Sequence, residues 1–257
     1  MNFRSIYLAA FVSASICLGN CSSSTSESNL KDELEKVAGS GDTKAGGNSC
    51  LLSYVEKLDQ LLTADLAGEA SGYKSEEAKV DYSKVLKSPS THQVRYAWKG
   101  DRTKTMNIAG MDRQIPVDDE VILFGIKAVS REDFKRNRRN ATDEEVAAMN
   151  AQIEKALSGK SDNEAVNKQL EKLEKMGVDK KSVASTGSAI GGLAARVAQS
   201  YSEVAGLGDA AAWNSYEQKL YVLQDGVEFS VSVNIGDENT NQEKSIGLAR
   251  KILQICK

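Results

Sequence analysis

The spacing of apolar residues changes several times along the chain, and each change predicts a different element. Leu51, Val55, Leu58 and Leu62 recur at helical spacing, so the segment they share presents one apolar face. Thr63 is placed to cap a further short turn over residues 64–70, which Gly72 ends. From Ser75 to Lys87, Ala78, Tyr82, Val85 and Leu86 predict a helix that stops before Pro89, although Val80, Tyr82 and Val85 also suit a strand. Val94, Tyr96 and Trp98 then alternate with polar residues, as do Met106 and Ile108 beyond the Gly100-Asp101 turn, which predicts strands half-buried on one face. Residues 110–116 read as a turn region, and the continuous apolar run from Val121 to Ile126 as a central strand.

Residues 130–205 differ in kind. Ser130 with Asp133, Thr142 with Glu145 and Ser161 with Glu164 each have the spacing of a capping box, in which a hydroxyl and an acid satisfy the free amides at a helix start. The apolar faces that follow are Val146, Met149, Ile153 and Leu157, then Val166, Leu170 and Leu173, with Gly159 and Gly177 as stops. A third face, Ile190, Leu193, Val197, Tyr201 and Val204, ends at Gly206, so the whole block predicts a helical insertion. Strands resume at residues 220–223 and 227–235 around Asp225-Gly226, a type I′ hairpin signal because both residues accept positive φ. A polar loop over residues 237–241 precedes a closing helix marked by Ile246, Ala249, Ile252 and Leu253. Strand and helix blocks are segregated, so the expected class is α+β: a mainly antiparallel sheet of about five strands, packed with N- and C-terminal helices and carrying the insertion.

Ahead of this region, Arg4 precedes an uncharged apolar stretch from Ile6 to Leu18. It is too short to span a bilayer, which takes about 20 residues, so it reads as a removable signal. Its end, Leu18-Gly19-Asn20-Cys21, resembles the lipobox of bacterial lipoproteins, with Asn20 where glycine or alanine is commoner. The resemblance implies a signal peptide over residues 1–20, lipidation of Cys21, and residence in the cell envelope on a membrane, the outer membrane foremost, facing the periplasm or the exterior. Residues 21–49 then form a serine-rich tether with a span of about 30 Å, and residues 50–257 the α+β domain. Of the four cysteines, Cys17 would leave with the signal and Cys21 would take lipid. Cys50 and Cys256 remain as an even pair in an oxidising compartment, and a disulfide between them is expected.

The net charge of −3 argues against a general nucleic-acid binder. The chain's one histidine, His92, lies in a Ser/Thr loop without a nucleophile motif to serve it and reads as a surface residue. Zinc ligands do not cluster. Residues 237–241 resemble the start of a calcium loop but have Gln242 at the glycine position and Leu248 at the closing acidic one. Gly187 to Gly192 is glycine-rich ahead of a helix but lacks the lysine and hydroxyl of a phosphate loop. The basic run Lys135 to Arg139 suits anionic headgroups, yet its acidic flanks make it an ordinary solvated helix end. Trp98, Trp213, Tyr216 and Tyr221 fall on expected strands or their edges. They are mainly core residues, and Trp98, Trp213 and Tyr221 are the candidates to line a ligand groove.

The segment Leu61 to Gly68, the strand ending Tyr96-Ala97-Trp98, the turn Gly206-Leu207-Gly208-Asp209 running into Trp213, and the final strand and helix are similar to secreted lipoprotein domains of PsbP-like fold. That resemblance implies a binding or accessory module and no enzyme. The expected function is therefore a non-catalytic, lipid-anchored accessory protein without cofactor, with the insertion as its protein-binding surface. The alternative is a binder of small apolar ligands in a pocket between sheet and helices.

Overall fold

The structure is a computed structural model that describes residues 49–84, 88–108, 110–157 and 191–256. The expected signal, Cys21, the tether up to residue 48 and the capping box at Ser161 lie outside these residues.

The chain opens with α1 (Ser49–Ser53), α2 (Leu58–Leu61) and α3 (Ala64–Ser71). Leu51, Leu58, Leu61 and Leu62 are all fully buried, so the predicted apolar face exists but is divided between two short helices. Thr63 Oγ1 accepts the amide of Leu66, and Gly72 closes α3 at φ +87°, as the residue types require. Where a helix was expected after Ser75 the backbone is extended: β1 (Lys79–Ser83) follows one 3-10 turn and pairs with β2 (Gln93–Trp98). β3 (Thr103–Ile108) and β4 (Met111–Pro116) form a separate two-stranded arm, so the turn expected over 110–116 is a strand. β5 (Asp119–Ala128) returns to the main sheet.

After β5 come α4 (Arg131–Asn137), α5 (Asp143–Leu157) and the helical residues 191–198, here α6. The third predicted helix does not reach Val204, because Tyr201 to Glu203 form β6. β7 (Ala210–Asn214), β8 (Lys219–Gln224) and β9 (Val227–Asn234) complete the sheet, and α7 (Glu238–Ile255) closes the chain. The sheet has seven strands and not about five, in the order β1-β2-β5-β9-β8-β7-β6, with every neighbouring pair antiparallel. The α+β class holds.

Alternation on β9 explains how two unlike faces arise. Val227, Phe229, Val231 and Val233 enter the main core with Trp213, Leu220, Val222 and the helices α1 to α3 and α7, while Glu228, Ser230 and Ser232 turn to the other side. α7 buries Asn241, Ser245, Leu248, Ala249, Ile252 and Leu253, one face at helical spacing. Its two buried polar residues satisfy β9 and the loop beyond it: Ser245 Oγ accepts the Val233 amide at 3.0 Å, and Asn241 Oδ1 accepts those of Ile235 and Gly236 at 3.0 and 2.9 Å. Cys256 caps α7 and is bonded to Cys50 of α1, with Cα atoms 5.5 Å apart. Asp225 and Gly226 take φ of +49° and +74°, which is the geometry a type I′ turn needs.

β5 changes register between Phe124 and Lys127, and Gly125 sits at that irregularity. A Cβ there would stand 2.3 Å from the Ser90 carbonyl oxygen and 2.7 Å from that of Pro89. Both are backbone atoms of a turn pressed on the strand, so neither yields cheaply. Gly125→Ala should therefore cost about 1–3 kcal/mol in urea unfolding, and an unchanged midpoint would show that the turn does not pack here.

Candidate functional site

The insertion joins the sheet through a charged cluster on the face opposite the main core. Glu228 of β9 is 4 % exposed. Its carboxylate accepts Arg138 Nη2 at 2.8 Å and pairs with Lys127 Nζ at 3.2 Å. The Arg138 guanidinium also donates to the Tyr201 hydroxyl at 3.1 Å and lies 3.8 Å over the Tyr221 ring. Burial opposes the charge on Arg138, but Glu228 outweighs it and holds the guanidinium protonated more firmly than usual. Lys219 fills the adjoining space with its Nζ 3.8 Å from the centre of the Phe124 ring, and burial lowers its pKa. Burial raises that of Tyr221, helped by Glu217, to whose carboxylate its hydroxyl donates at 2.6 Å. Phe134, Tyr201, Ala212, Tyr221 and Leu223 form the small apolar core beneath. Apart from Arg138 Nε, which is buried without a hydrogen-bond partner among the described residues, the polar groups named in this joint bind neighbours in the chain, so its chemistry is that of a fastening.

Beyond the joint the insertion is built by the capping boxes the sequence predicts. Ser130 Oγ accepts the Asp133 amide at 3.1 Å. The Thr142 box is complete in both directions: Thr142 Oγ1 accepts the Glu145 amide at 3.2 Å, and Glu145 accepts that of Thr142 at 2.9 Å. Arg139 also binds Glu145, and with the Thr142 amide it holds that carboxyl down at about 2. α5 runs beside α6, where a Cβ on Gly191 would meet Asn150 and Ile153. Val146, Met149 and Ile153 are half-buried and Leu193 is 48 % exposed. The arginines of the basic run are consumed internally, because Arg136 pairs with Asp133, Arg138 with Glu228 and Arg139 with Glu145.

A second feature is an open, polar groove of about 690 Å³ at the end of the sheet, between the root of the β3–β4 arm and the last residues of β9. Arg95, Arg102, Lys104, Asp118, Glu120, Gln218 and Asn234 line it. Arg102 organises it: Nη1 donates to Asn234 Oδ1 at 2.9 Å, Nη2 to the Asn234 and Asp118 carbonyls at 2.5 and 3.1 Å, and Nε to the buried Asp119. Asp119 in turn accepts the Tyr73 hydroxyl at 2.5 Å, and that bond raises the pKa of Tyr73. Gln218 occupies φ +53° in the β7–β8 turn and accepts from Asn241 Nδ2 at 3.0 Å. Arg95 pairs with Asp118 and Glu120 and Arg102 with Asp119, while Lys104 has no ion-pair partner among the described residues, so the groove suits a polar ligand with both donors and acceptors. Its parts lie too far apart in sequence to be assembled from spacing, and only the buried fate of Asp119, amid three consecutive acids, could have hinted at it.

Of the residues expected to line a ligand groove, Trp98 and Trp213 belong to the main core and Tyr221 to the small core on the other face. Alternation on β7 and β8 separates them, since Trp213 stands opposite Leu220 and Ala212 opposite Tyr221. The three cannot wall one pocket. Tyr216 is exposed. His92 is 5 % exposed and not a surface residue, because its turn packs on β5, and its Nδ1 stands 3.7 Å from Glu56 Oε2. Residues 237–241 are the start of α7 and not a loop: Asp237 Oδ1 accepts the Thr240 amide at 2.8 Å, and Asn241 is buried. Among the described residues, no group of three or more His, Cys, Asp or Glu is placed to hold a metal ion, and no helix is long and apolar enough to cross a membrane. Compared with known proteins, the chain matches no family model, no curated protein and no solved structure.

Proposed function

We propose that the chain is a non-catalytic accessory lipoprotein of the bacterial cell envelope, anchored through Cys21, which binds a partner protein through the insertion at residues 130–205. The anchor rests on Leu18-Gly19-Asn20-Cys21. The partner surface rests on one observation: the insertion is fastened at its root by a buried charge cluster, while α5 and α6 lie against each other and leave Leu193 exposed. A rigid root with an outward surface is what a docking appendage needs. A helix serving the core would spend its apolar face on the sheet.

The structure gives a clean way to remove the outer helices. The Ala141 amide donates to the Ala198 carbonyl at 2.8 Å, so the chain enters and leaves the helical part at one point. Replacing residues 142–197 by a short Gly/Ser link keeps Arg138, Tyr201 and β6 in the sheet. Pull-down from membranes should recover a partner with the intact chain and lose it with this shortened one, at an unchanged urea midpoint for the sheet. Retention of every partner by the shortened, folded chain would dismiss the insertion as the binding surface.

The groove beside Arg102 favours a second reading, a ligand-binding module. Its lining makes the ligand polar and not apolar. Co-purification of a small polar molecule with both forms would favour that reading.

A further inference from the structure

The β3–β4 arm stands outside the main sheet and pairs with none of its strands. Its root is fixed, because Arg102 is bound to Asp119 and Asn234 and the Val117 amide donates to the Arg102 carbonyl at 3.0 Å. Its two faces differ sharply. Residues opposite one another share a face, and successive residues alternate. Thr103, Thr105, Asn107, Asp112, Gln114 and Pro116 therefore make one side. That side is closed on itself: Gln114 Nε2 donates to Thr105 Oγ1 at 2.7 Å and Asn107 Nδ2 to Asp112 at 2.8 Å. The other side carries Lys104, Met106, Met111, Arg113 and Ile115. Met106 is 47 % and Met111 54 % exposed, and Lys104 and Arg113 are exposed and in no ion pair among the described residues.

The order of residues along this second side is informative. Met111 stands at the tip, beside the turn at Gly110 and paired with Ile108. Arg113 is two residues back, about 7 Å at the rise of a strand, and Lys104 lies one further pair toward the root, about 14 Å from the tip. An apolar end is thus followed by Arg113 at the depth where a bilayer places its phosphates, since interfacial elements sink about 5–10 Å, and by Lys104 just outside it. The one acid of the arm, Asp112, is on the opposite side. Methionine also suits a fluid, irregular surface better than a shaped pocket.

We propose that this side of the arm is a lipid contact, which inserts Met106 and Met111 into the interface of an anionic bilayer and sets Arg113 and Lys104 on its headgroup phosphates. It rests on the reading that the chain works at a membrane, and it adds a second, orienting contact to the lipid anchor. With the arm on the bilayer, the domain is held in one orientation instead of turning freely on its tether.

The test uses the mature chain, from position 21 onward, carrying Cys21→Ala, so that neither the apolar signal nor an acyl chain contributes, with vesicles of phosphatidylglycerol and phosphatidylcholine and with vesicles of phosphatidylcholine alone. Sedimentation should show binding to the anionic vesicles that weakens with salt and that Met111→Asp or Arg113→Glu each weakens roughly tenfold. Gln114→Ala, on the closed side, should leave it unchanged. A Met111→Trp reporter should shift its emission to the blue on anionic vesicles, against the buried Trp98 and Trp213, whose emission is already blue. No association with anionic vesicles, or association that Met111→Asp and Arg113→Glu leave intact, overturns the proposal, as does a protein partner cross-linked at residue 111 in the absence of lipid binding. The anchor itself is tested apart, by comparing membrane partitioning of the wild type and Cys21→Ala in cells; equal partitioning would remove it without touching the vesicle result.

Discussion

Replacing Cys50 and Cys256 by alanine is expected to destabilise the domain by about 5 kcal/mol. The bridge spans 206 positions and therefore removes more disorder from the unfolded chain than a short loop would. A loss of that size is comparable with the whole stability of an ordinary domain and should lower the melting temperature by about 10–20 °C. The two ends it ties are also those least able to hold themselves. α1 has five residues, and Cys256 is the cap that follows the last residue of α7, Ile255. Without the bond, the burial of Leu51, worth roughly 2 kcal/mol, still helps to dock α1. Thermal unfolding of the oxidised and reduced wild type and of the double alanine variant checks this. Reduced and variant proteins should melt together, well below the oxidised one. Equal melting temperatures for all three, or two free thiols in the unreduced and denatured protein, would show that the bridge does not hold the fold.

What could be read in the sequence was whatever is settled within a few residues. Thr63 and Gly72, the boxes at Ser130 and Thr142, and Asp225-Gly226 each answer a local demand for a hydrogen bond or a positive φ, and all form as the residue types dictate. β8 and β9 were legible for the same reason, since alternation on β9 follows from having one apolar side, whereas the buried β7, mostly alanine, gave no strand pattern. Elements whose apolar residues do not face the core escaped. β1 is an edge strand with Val80 half exposed, and β4 is exposed along most of its length, so neither carries a burial pattern. β6 was missed because Tyr201 falls in step with the helix before it. The first turn of α7 was read as a loop because residues 237–241 are polar, although Asn241 is buried to satisfy amides of the loop after β9. The groove and the joint share a different obstacle. Arg102 and Asn234 are 132 positions apart and Arg138 and Glu228 are 90 apart, and no spacing rule connects such pairs.

The joint also carries the second large expected effect. Arg138→Met should cost about 3–5 kcal/mol, because it leaves the buried Glu228 carboxylate with Lys127 as its remaining ion-pair partner. Lys127 is a weak substitute: its side chain is 44 % exposed, whereas that of Glu228 is 6 % exposed. The stacking of the guanidinium on Tyr221 and its bond to Tyr201 go with it, so the insertion should loosen at its root while the main core stays intact. Adding Glu228→Leu should return most of the stability, since two apolar residues of similar volume avoid the uncompensated charge. Urea unfolding of the two single variants and the double variant, taken as a cycle, measures the coupling. A single-variant loss below about 1 kcal/mol would mean that water reaches the pair and that it acts as a surface ion pair. The partner pull-down separates fastening from contact. If the joint only positions the insertion, Arg138→Met should weaken capture, and the double variant, firm again but without either charge, should restore it. Capture lost in both would place Arg138 or Glu228 on the partner surface itself.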